Sequence, residues 1–99
     1  MELHPRTGGR VVLDRDPDAP GIRYLAALYL PDVLHRGAVD IAPGGDVSFS
    51  DWEPPAPPDW LVQFARAFLR SEWRARQRPG DELPPPWPAR ISRWRDTSP

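Results

Sequence analysis

The 99-residue chain has no cysteine and no lysine, and no apolar run that approaches the ~20 residues a membrane-crossing helix requires. Without cysteine there is neither a disulfide framework nor a thiolate metal site, which fits a reducing compartment. The start, Met1-Glu2-Leu3-His4-Pro5-Arg6, lacks the basic and apolar stretches of a secretion signal, so a cytoplasmic location and no membrane contact are expected. Histidine occurs only at positions 4 and 35, and no spacing of histidines and acids matches a known metal signature. Neither the glycine pattern of a dinucleotide site nor that of a phosphate loop is present. No metal or cofactor is expected.

What remains for acid–base chemistry is Asp32 and His35, three residues apart, which one helical turn would bring together. A lone Asp–His pair is not a triad, and no serine is marked as an activated nucleophile. An enzyme is therefore not expected, with Asp32 and His35 as the only alternative.

Proline, tryptophan and arginine are what the chain has in quantity. There are fifteen Pro and five Trp, and all thirteen basic residues are Arg. Net charge is −1, unevenly placed: residues 1–58 hold five Arg against nine acids, and residues 59–99 hold eight Arg against five. Tryptophan and arginine are the residues that most often anchor protein interfaces.

The expected organisation is one small domain over 1–99, with residues 96–99 frayed. Val39 and Ile41, then Val47 and Phe49, alternate with polar residues around Pro43-Gly44-Gly45-Asp46. That pattern predicts a hairpin over about 38–50 with one apolar face. The run 22–30 reads as a further strand closed by Pro31, although Leu25, Ala27 and Tyr29 make its second face apolar as well. Helix over 22–35 is the alternative, and Val11–Leu13 is a short strand candidate. Residues 32–37 read as one helical turn.

Leu61, Phe64, Ala65, Phe68 and Leu69 recur at helical spacing, and Pro79-Gly80 breaks the pattern. They predict a long amphipathic helix over 59–78 with Asp59 as its N-cap. Prolines cluster with tryptophan on both sides of it, at 52–58 and 84–88, and Ile91 and Trp94 suggest a short terminal helix over 89–95. The fold class is α+β: a small antiparallel sheet packed by one helix, with Pro/Trp-rich flanks.

The candidate binding residues are arginines. Arg66, Arg70, Arg74 and Arg78 follow at i+4 and would form a winding stripe on the helix. Arg90, Arg93, Trp94 and Arg95 interleave cations with an aromatic, as surfaces that grip and stack single-stranded nucleic acid do. The leading expectation is a non-enzymatic interaction or accessory module with a protein partner or a second copy of itself. Nucleic-acid binding through the arginine stripe and the terminal segment is the alternative.

Overall fold

The computed structural model describes residues 5–77 and 86–95. It is α+β: strands β1 (Gly9–Arg15), β2 (Ile22–Tyr29), β3 (Leu34–Ile41) and β4 (Val47–Ser50), then helix α1 (Asp59–Ala75), then β5 (Arg90–Arg95). The strands form one antiparallel sheet in the order β4-β3-β2-β1-β5. Three hairpins in succession build four of them, and the last segment returns to the far edge beside β1.

Alternation decides which side of the sheet is packed. Val11 and Leu13, Tyr24, Ala26 and Leu28, Val39 and Ile41, Val47 and Ile91 all point to one side and are buried. They meet Leu61, Ala65 and Leu69, which repeat every four residues along α1 and are wholly inaccessible to solvent. Fully burying one such leucine stabilises the fold by about 1.5–3 kcal/mol. The second apolar set of β2, on the intervening positions, faces the side that α1 does not cover.

The strand expected over 22–30 is present: residues 22–29 are a central strand with partners on both sides, and the helical alternative falls. Other expectations are corrected. The turn expected at 32–37 is mostly strand, because β3 begins at Leu34 to match the length of β2. The terminal segment is strand β5, not a short helix. Its one buried apolar side chain, Ile91, is enough to seat it beside Leu13. The helix is 17 residues long and ends at Ala75, with Arg76 as its C-cap, short of the expected 78. Pro58 is the N-cap, and Asp59 is the first helical residue, where its charge suits the helix dipole.

Tryptophans hold the long connections. After β4 the chain turns at Asp51, whose φ is 59°, and Trp52 stacks on Phe49 with ring centroids 5.7 Å apart. Beyond α1, Arg76 fastens residues 86–88. It donates to the Glu72 carbonyl and carboxylate at 2.7 Å each and to the Pro86 carbonyl at 2.8 Å, and it lies 4.4 Å from the Trp87 ring centre. Its side chain is only 8% exposed. Arg76→Ala is expected to cost about 2–3 kcal/mol, since it leaves the partly buried Glu72 carboxylate with only the longer 3.9 Å contact to Arg93 and removes the donor to two carbonyls. The shift in urea midpoint measures this.

The same segment is bonded to the core by Tyr24, whose hydroxyl donates to the Pro88 carbonyl at 2.7 Å. Burial raises the Tyr24 pKa above the ordinary value near 10. The neutral phenol is thus favoured by folding. Stability is unaffected well below pH 10 and falls as pH rises above it, where the unfolded chain ionises first. Tyr24→Phe is expected to lose about 1 kcal/mol at neutral pH and to remove that part of the alkaline decline, measured by denaturant unfolding between pH 8 and 11.

Candidate interaction surface

Because one helix serves a five-stranded sheet, the face opposite α1 is uncovered by any described element. The register lays its side chains out in rows across the strands. Leu34, Tyr29, Arg10 and Trp94 form the first row; Arg36, Ala27, Val12 and Ser92 the second. Ser50, Ala38, Leu25, Asp14 and Arg90 form the third, and Ser48, Asp40 and Arg23 the fourth.

Small residues make the centre of this face low. Val12 and Ala38 form its floor at 4% and 3% exposure, while Leu25 and Trp94 stand out at 55% and 57%. A depression of about 350 Å³ opens beside Leu25, lined by Ala27, Arg36 and Asp14. A large exposed leucine next to a hollow floored by alanine and valine is a shape that another apolar surface can fill.

Charge is segregated along the strands. Arg23 is held by Asp40 at 2.7 Å, Asp51 at 3.4 Å and Asp16 at 3.8 Å. The hydrogen bond and charge of Asp40 are the main cause of a raised Arg23 pKa. Arg90 pairs with Asp14 at 3.0 Å. That end of the face therefore sets four aspartates against two arginines. At the other end stand Arg10, hydrogen-bonded to Ser92, and the exposed Arg36; among the described residues neither has a carboxylate within ion-pair distance. Glu53, whose N–H donates to the Arg36 carbonyl, borders them.

The arginines singled out from the sequence are dispersed. Arg66 lies over Phe49 on the β4 edge, 5.6 Å from the ring centre, while Arg70 and Arg74 are exposed on α1. Arg78 lies outside the described residues. Arg93 and Arg95 point to the helix side at the β5 edge, over Phe68 at 5.8 Å and Phe64 at 6.0 Å. Arg90 and Trp94 are on the open face instead. Among the described arginines, Arg66 is thus on the β4 flank of α1, Arg93 and Arg95 lie against α1 on its β5 flank, and Arg90 is on the open face.

Asp32 and His35 are not joined by a helical turn. His35 sits in β3 at 4% exposure, where its Nδ1–H donates to the Pro55 carbonyl at 2.8 Å, and Asp32 is exposed in the preceding turn. Among the described residues no group of three or more His, Asp or Glu side chains is placed to hold a metal, and no helix is long and apolar enough to cross a membrane.

The residues that sequence reasoning passed over are Arg10, Leu25, Tyr29 and Arg36. Their one signal was the second apolar set of β2, Leu25-Ala27-Tyr29, which a single covering helix leaves without a partner. No family model, no curated protein and no solved structure matches the chain.

Proposed function

We propose that this chain is a non-enzymatic interaction module that docks a protein partner on the open face of its sheet. The observation that carries the reading is the pair of projecting apolar side chains, Leu25 and Trp94, on the side of the sheet away from α1. An exposed apolar side chain beside a depression, as at Leu25, marks a binding surface more than isolated exposure does. Tyr29, Arg10 and Trp94 lie side by side, and these are the residue types that anchor interface hot spots. The adjoining ion pairs around Arg23 and Arg90 supply a polar rim.

The test is affinity capture from lysate of the native host after nuclease treatment, with three baits. Wild type is expected to retain a stoichiometric protein. The Leu25→Asp/Trp94→Asp variant is expected to lose it by about tenfold or more, and Arg70→Glu/Arg74→Glu to keep it. Loss only in the helix variant, together with nucleic acid recovered when nuclease is omitted, would replace this reading with phosphate binding along α1.

A further inference from the structure

We propose that the partner on the open face is a second copy of the chain, packed face to face about a two-fold axis that crosses the strands near Ala26. This inference rests on the docking reading above and names its occupant.

Two features of the face point to a self-complementary pairing. The first is shape. Leu25 and Ala27 are successive open-face positions of β2, one projecting and one lying in the depression. A two-fold axis across the strands between them reverses the strand direction and keeps each strand over its own copy. Leu25 of each chain then stands over Ala27 of the other, and both hollows are filled by the same operation. An isologous interface requires such a match of a surface with itself.

The second is charge. The same rotation lays each end of the face over the opposite end of the copy. Arg10 of each chain then faces Asp16 of the other, and Arg36 faces Ala38 with Asp40 the next open-face position on that strand, at the end where Asp14, Asp16, Asp40 and Asp51 outnumber Arg23 and Arg90. A polyanion would instead find four aspartates on half of the surface, which argues against nucleic acid there. The open antiparallel sheet also supplies the geometry, because two such faces pack at about 10 Å with interdigitated side chains.

Sedimentation equilibrium of the purified full chain tests this. A reversible dimer is expected, and Leu25→Asp is expected to weaken it about a hundredfold, because the two-fold counts the change twice. Arg10→Glu/Arg36→Glu is expected to weaken it about tenfold, with circular dichroism of both variants unchanged. A chain that is monomeric at every concentration, or a dimer indifferent to Leu25→Asp, overturns the proposal. A monomer that still captures a different protein through Leu25 and Trp94 overturns the second copy and leaves the docking reading standing. A monomer that captures nothing removes both.

Discussion

Leu28→Asp is expected to unfold the domain, whereas Leu25→Asp leaves it folded. The two leucines are three residues apart on one strand, so alternation sends them to opposite faces. Leu28 is wholly buried beneath α1 and Leu25 is 55% exposed. A carboxylate at position 28 replaces a fully buried apolar side chain, and the one polar group across the strand from it is the buried His35. The combined loss is about 4–5 kcal/mol or more, comparable with the whole stability of a small domain. At position 25 the expected change is within about 0.5 kcal/mol at dilute protein concentration. Circular dichroism and urea unfolding of the two variants measure this. Unfolding by Leu25→Asp would mean that the open face is part of the core.

The second large effect is at Gly37. Trp52 lies across this position: a Cβ there would stand 2.8 Å from the indole Cζ3 and 2.9 Å from Cδ2, and closer still to Cε3. The glycine is needed because the ring occupies the side-chain space, not because of its backbone angles. Gly37→Ala is expected to cost about 1–3 kcal/mol, as overpacking does, and Gly37→Val more. In the Gly37→Ala/Trp52→Ala double variant the alanine Cβ has room, so the two losses should not add. Additive losses in urea unfolding would show that Trp52 is not what excludes the side chain.

Much of the sheet was legible because its signals were local. Val39, Ile41, Val47 and Phe49 alternate around a turn containing Gly45, whose φ of 94° suits glycine. The apolar positions of α1 recur at helical period. The terminal strand was not legible. Ile91 and Trp94 are three apart, which reads as helix, yet they point to opposite faces of a strand whose seat is set by pairing with β1, some 80 residues earlier in the chain.

The candidate surface was obscured for a related reason. Arginines spaced along one helix are conspicuous in a sequence. Arg10, Leu25, Tyr29, Arg36 and Trp94 come from four strands and become neighbours only through long-range register. The charge asymmetry between the two halves of the chain was visible. In the fold, aspartates of the first half meet one arginine from each half, Arg23 and Arg90.

The most direct measurement of the central claim, that the open face is where this chain meets its partner, is site-specific photocrosslinking in the native host. A benzophenone side chain would be placed singly at position 25, 94, 70 or 74. Adducts with protein from positions 25 and 94, and none from 70 and 74 on the exposed side of α1, are the expected result. Adducts from 70 and 74 alone, or silence at 25 and 94, would contradict it.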